Sequence, residues 1–192
     1  IAEITALLSY AALKNNDKVG LIIFSDHVEH YIPPGKGRGH VWKIIREILS
    51  YKSKSEKTDI SEALEFIGHV QKRKSVVFFI SDFFDEGYEK AFQVLSRKND
   101  LVAVMVRDSF EIKIPDIGHV EFKDLETGES LIVNTNDRSF QQHIAKKDKD
   151  HVEAVKKLCH QCKADFINVA GHESYLEEIV RFFNRRETSL RK

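Results

Sequence analysis

Residues 75–82 read SVVFFISD, and this stretch decides the fold. Val76 to Ile80 is an unbroken run of β-branched and aromatic residues, the pattern of a strand covered on both faces. Two more such runs lie on either side, Lys18 to Phe24 (KVGLIIF) and Leu101 to Val106 (LVAVMV). Helical patterns separate them. Buried strands alternating with helices predict a three-layer α/β fold, a doubly wound and mainly parallel sheet with right-handed crossovers.

Working outward, Ile1 to Leu13 carries Ile4, Leu7, Leu8 and Ala11 at helical spacing and ends at Asn15-Asn16-Asp17. Val28 to Ile32 reads as a short strand reached through Ser25-Asp26-His27 and stopped by Pro33-Pro34-Gly35. Gly39 to Tyr51 and Asp59 to Arg73 are amphipathic helices, the second turning Ile60, Ala63, Leu64, Ile67 and Val70 inward. Beyond SVVFFI come a helix from Gly87 to Lys98, a hairpin of residues 119–123 and 130–133 around Glu126-Thr127-Gly128-Glu129, and a long polar helix from Ser139 to Cys162. A last strand, Ala164 to Val169, and a last helix, Ser174 to Arg186, complete the series. With no repeats, low-complexity tracts or linkers, residues 1–192 read as a single domain.

Bulk properties narrow the function classes. The 192 residues carry 30 Lys+Arg and 30 Asp+Glu, so nothing global draws the chain to nucleic acid or an anionic membrane. No apolar run reaches the roughly 20 residues that span a bilayer, so no membrane contact by this segment is expected. Cys159 and Cys162 cannot build a disulfide framework, which points to a reducing, cytoplasmic setting. The sequence opens on Ile rather than Met, so an upstream segment is expected.

In open α/β sheets, ligands bind beyond the carboxyl ends of the strands. Asp82, directly after SVVFFI, projects there. Asp85 and Glu86 follow, and their expected role is to cap the next helix. The second place is Thr58-Asp59. Asp59 and Glu62 have capping-box spacing, which leaves the Thr58 hydroxyl for the crevice. A hydroxyl and a carboxylate are hard oxygen ligands suited to Mg²⁺.

The succession of a helix, KVGLIIFSD, YIPP, G-x-G-x-x-H before a helix, TDISEALEF, and a strand ending ISDFFD resembles a bacterial domain family of unknown function, DUF58, whose members look like von Willebrand factor A domains. The resemblance runs from about Ile4 to Arg186. It implies a Rossmann-like sheet and a metal ion-dependent adhesion site, drawn from an Asp-x-Ser-x-Ser run after the first strand, a threonine in a later loop, and an aspartate ending a later strand. Thr58 and Asp82 match the last two. The Asp-x-Ser-x-Ser run would lie upstream of Ile1, on a central strand that this chain lacks. The residues present are therefore expected to hold Mg²⁺ weakly. Two inner strands are expected to show open edges, covered by an upstream segment or by pairing in a strand-exchanged homo-oligomer.

The resemblance also implies a role: a protein-interaction module, not an enzyme, whose metal takes an acidic residue from a protein partner, and which works with a MoxR-type AAA+ ATPase. Two alternatives stand beside it. One is a metal-assisted phosphohydrolase or phosphoacceptor domain using Asp82, with Asp26 and Asp85 as candidate helpers; the other is a structural domain with a decayed metal site. No Ser/His/Asp or Cys/His constellation is apparent.

Other signals read as structural. Gly35-Lys36-Gly37-Arg38-Gly39 lacks the P-loop pattern and is expected to be a flexible basic turn. Cys159-His160-Gln161-Cys162 ends a helix, where redox C-x-x-C motifs do not sit, and His143, His151 and His172 are too scattered to complete a zinc site. The basic tail from Arg185 to Lys192 is expected to fray.

Overall fold

A computed structural model describes residues 1–108, 115, 117–123, 130–171 and 175–190. The chain forms two compact units that interleave in sequence: residues 1–73 with 85–95, and residues 74–84 with 96–192.

The first unit contains α1 (Ala2–Lys14), β1 (Val19–Phe24), β2 (Val28–Gly35), α2 (Arg38–Ser50) and α3 (Ile60–Val70). Strands β1 and β2 pair antiparallel, with Leu21 opposite Ile32 and Val19 opposite Gly35. Leu21, Ile32 and Ile44 form a buried cluster, joined at its margin by Val19, Ile23 and Ile48. The strand β2 runs through Pro33 and Pro34 instead of stopping there. Its outer edge has no ladder partner among the described residues, so the missing amide hydrogens of proline leave nothing unsatisfied in a sheet.

The stretch from Gly35 to Gly39, expected to be a flexible basic turn, is in fact a helix entrance. Gly35 lies under the imidazole of His40, where a Cβ would come within 2.6 Å of the ring. Gly37 caps α2 at φ 92°, a conformation open to glycine. His40 Nε2 then lies 2.7 Å from the carbonyl oxygen of Val19, fastening α2 to the hairpin. The G-x-G-x-x-H pattern is explained by this packing.

The second unit contains β3 (Val76–Ser81), β4 (Asp100–Arg107), β5 (His119–Lys123), β6 (Ser130–Asn134), α5 (Arg138–Cys162), β7 (Asp165–Ala170) and α6 (Tyr175–Leu190). Helix α4 (Glu89–Lys98) crosses from one unit to the other. The sheet order is β3-β4-β7, all parallel, with Ser81 level with Met105 and Met105 level with Asn168. The fold is mixed α/β, a three-stranded parallel sheet with helices packed on it.

Burial follows strand position. Leu101 through Met105 of the central β4 are at most 2% exposed. The expectation of burial on both faces fails for β1, where Leu21 alone is buried, and for β3, where Phe79 and Ser81 are. Each of those strands has a ladder on one side only among the described residues.

Strands β5 and β6 form the expected antiparallel pair; residues 126–129 between them lie outside the described residues. Helix α6 continues past Arg186 to Leu190, where a frayed tail was expected; residues 191–192 lie outside the described residues. Arg186 makes a two-pronged bond to Asp100, at 2.7 and 2.6 Å, and also binds Asp165. Those aspartates begin β4 and β7, so one guanidinium locks α6 to the amino edge of the sheet. Burial works against its charge, but the bonds to Asp100 and Asp165 outweigh this and raise its pKa.

Candidate functional site

Asp82 occupies the position expected for it, just past the carboxyl end of β3 in the second unit. The turn it starts is tightly specified. Phe83 has φ 62°, a region that costs a bulky residue of order 1–3 kcal/mol. Its ring is fully buried and lies 5.8 Å from that of Phe79, so burial holds the residue in this conformation. The Ser81 hydroxyl accepts the Phe83 amide at 3.1 Å, and Asp82 Oδ1 accepts the Phe84 amide at 3.1 Å. Ser81 also donates to Oδ1 at 3.3 Å. The second carboxylate oxygen, Oδ2, has no hydrogen-bond partner among the described residues.

Helix α5 supports the turn. His151 Nε2 lies 2.9 Å from the Asp82 carbonyl oxygen, and its ring stacks on Phe84 at 4.2 Å and 9°. Three residues earlier on α5, Asp148 pairs with the nearly buried Arg107, which ends β4. Arg107 Nε donates to Asn168 of β7 at 3.2 Å. The sequence reading places none of His151, Asp148 and Arg107 at this site. Two signals could have found them: an arginine ending the apolar run LVAVMV, and the D-x-x-H spacing that puts Asp148 and His151 on one helix face.

Thr58 belongs to the first unit, exposed in the loop before α3. Glu29 organises that loop by accepting from Tyr51 Oη at 2.9 Å, Ser53 Oγ at 2.7 Å and the Lys54 amide at 3.0 Å. Hydrogen bonds from the hydroxyls of Ser25 and Ser53, the Lys54 amide and Tyr51 pull its pKa down to about 2. The capping expectation for Asp59 holds: its Oδ1 accepts the Glu62 amide at 2.8 Å. Its own amide goes to the Ser25 carbonyl rather than back to Glu62. Asp85 caps a helix other than the expected one. Its Oδ2 accepts the amide of Ile60 at 2.7 Å, so it serves α3 and not the following α4. Asp26 is exposed in the β1–β2 turn, 2.8 Å from His27 Nδ1.

Among the described residues, no three His, Cys, Asp or Glu side chains are grouped to hold a metal ion. The Thr58 hydroxyl and the Asp82 carboxylate fall well short of the six oxygens around Mg²⁺, so these two residues do not make a site by themselves. The C-x-x-C ends α5 as expected. Burial, then the neighbouring Cys162 thiol, pushes Cys159 up to about 12, and burial raises Cys162 as well. Both shifts run against the thiolate form that redox or zinc chemistry needs. No described helix is long and apolar enough to cross a membrane.

Residues 1–154 match the family described as protein of unknown function DUF58, and the chain belongs to that family. An uncharacterized protein of Mycobacterium avium is 23% identical over 158 residues, 81% of this chain and 93% of that protein. An uncharacterized protein of Mycobacterium tuberculosis is 21% identical over 184 residues, 94% of this chain but 58% of its own length. This chain thus spans little more than half of that relative. Among solved structures, the conserved hypothetical protein BatB of Bacteroides thetaiotaomicron superposes with a TM-score of 0.56 at 18% identity, over 97% of this chain and 88% of that one. A Bacteroides fragilis protein described as an aerotolerance-related membrane protein gives a TM-score of 0.53 at 17% identity, over 93% and 85%. At these identities the likeness is one of fold.

Proposed function

We propose that this chain is a protein-binding module of von Willebrand factor A type whose contact surface centres on Asp82. The observation that carries this reading is the turn at residues 81–84. A non-glycine residue is kept at positive φ, its own amide and the next are taken up by side chains, and one oxygen of the Asp82 carboxylate has no hydrogen-bond partner among the described residues. Backbone strain retained at the carboxyl edge of a parallel sheet fits a surface shaped for contact rather than for stability alone.

If the contact uses Mg²⁺, Asp82 supplies one ligand and further oxygen ligands must join it there. The edge of β3 away from β4 has no ladder partner among the described residues, and a further strand pairing there would bring such ligands to Asp82. An acidic side chain of the partner would complete the set. From the resemblance alone, the proposal extends to a MoxR-type AAA+ ATPase as the partner.

The test places a photo-crosslinking residue at the exposed Glu86 in the full-length protein inside its host cell. A discrete trapped partner, lost with Asp82→Asn, is the expected result. Absence of any discrete product, or trapping that ignores Asp82→Asn, overturns the proposal. Calorimetry complements it: the 192-residue chain should show only weak Mg²⁺ binding, and micromolar affinity would show that its own residues suffice.

A further inference from the structure

We infer that His151 is the positioning residue of the Asp82 turn, held in place for that task by Asp148. The inference rests on the proposed function, in which Asp82 is the contact residue, and it names what sets the direction of its carboxylate.

Three observations combine. Asp148 and His151 stand one turn apart on the same face of α5. Asp148 is tied to Arg107; the two side chains are 17% and 7% exposed, and Arg107 also binds Asn168. This turn of the helix is therefore fixed to the ends of β4 and β7. From that anchored turn, His151 reaches the site residues at two points, the carbonyl of Asp82 at 2.9 Å and the ring of Phe84 at 4.2 Å. These contacts lie on either side of Phe83, the residue whose backbone is strained.

The chemistry explains why a histidine suits the place. The neutral imidazole with hydrogen on Nε2, or the imidazolium, donates to a carbonyl from its edge while offering a flat face to an aromatic ring. Glutamine can supply the donor without the face, and phenylalanine the face without the donor. With the Asp82 carbonyl committed to α5 and Oδ1 to the Phe84 amide, the carboxylate has one orientation in which its free oxygen is available. Loss of the imidazole frees the Phe83 backbone to relax, and the carboxylate turns with it.

The experiment compares His151→Gln, His151→Phe and His151→Ala by hydrogen exchange, reading the Phe84 amide locally and the Val104 amide of the central strand globally. His151→Ala should speed exchange at Phe84 roughly tenfold, and the glutamine and phenylalanine variants roughly three- to fivefold each, as expected for losing two weak contacts or one. Val104 should be unchanged. Unchanged exchange at Phe84 in all three variants overturns the inference. So does equal acceleration at both amides, which would make His151 a general packing residue.

Crosslinking from Glu86 in the full-length protein separates this inference from the function it rests on. Trapping lost with Asp82→Asn, weakened with His151→Ala and partly restored with His151→Gln supports both. Trapping lost with Asp82→Asn but indifferent to His151→Ala overturns the positioning role and leaves the binding role standing. Trapping indifferent to Asp82→Asn overturns the binding role, and with it the purpose assigned to His151.

Discussion

The carboxylate of Asp85 closes the amino end of a helix that starts 25 residues earlier, accepting the amide of Ile60 at 2.7 Å. Asp59 takes the Glu62 amide of the same helix, so two carboxylates share the first turn of α3. Both complement the partial positive charge there. Asp85→Ala should destabilise the protein by about 1–2 kcal/mol, the usual cost of a lost N-terminal cap. Asp85→Asn, which keeps an acceptor, should lose less than half of that. Urea denaturation compares the two; equal losses would mean that charge, not the hydrogen bond, matters.

Gly35 and His40 should behave as one unit. Gly35→Ala drives a methyl group into the imidazole and should cost roughly 2–3 kcal/mol. His40→Ala should cost about 1 kcal/mol through its bond to the Val19 carbonyl. The double variant should cost clearly less than the sum, because removing the ring makes room for the methyl. Gly37→Ala meets open space but keeps φ 92°, and should cost about 1 kcal/mol from the backbone alone. Strict additivity of Gly35→Ala and His40→Ala in thermal melts would refute the coupling.

Glu29 makes the loop before α3 sensitive to acid. Its folded pKa of about 2 lies below its ordinary value of 4.5. The stabilisation it gives is therefore present above pH 4.5 and is lost as pH falls from there toward 2. Glu29→Gln should flatten the pH dependence of stability across that window and leave the limb above pH 5 parallel to that of the unmutated protein. An unchanged acid limb in pH-resolved melts would show that the carboxylate is no better bound in the folded chain than in the unfolded one.

The two thiols should be slow to react. Cys159 is buried and raised to about 12, and Cys162, partly buried, is raised as well. Thiol titration at pH 8 should label Cys162 slowly and Cys159 only after unfolding. Rapid labelling of both, or ready formation of a Cys159–Cys162 disulfide, would contradict the geometry.

The hydrophobic periods made most of the elements legible. The inward positions of α3 are those read from spacing, with Ile60, Ala63, Leu64 and Ile67 all buried. What the pattern hid was neighbourhood. SVVFFI and LVAVMV look alike as strings, yet β4 is buried because strands flank it on both sides, while Val76 of β3 is 51% exposed. Pro33-Pro34 read as a stop because proline cannot pair at the centre of a sheet; at an edge that objection lapses. At the candidate site, the position of Asp82 followed from the end of its strand. Its supports did not: the arginine ending LVAVMV and the D-x-x-H spacing mark Arg107, Asp148 and His151 one by one, but these come from two elements far apart in sequence, and their pairing is not written in either.

The interleaving of the two units bears on how the chain assembles during synthesis. The β1–β2 hairpin joins neighbours in sequence and can close as soon as Gly35 has emerged. The parallel ladder of β4 with β7 must wait for residues 165–170, after the hairpin β5–β6 and all of α5. Until then β4, the most buried strand among the described residues, has a neighbour on one side only. Nor can the first unit finish early, because its last segment, residues 85–95, follows the strand that founds the second. The nascent chain therefore carries two half-built cores at once. The first core can close once Leu95 has emerged, but the second waits for β7, which makes the interval before β7 docks the moment of greatest exposure to proteases and chaperones.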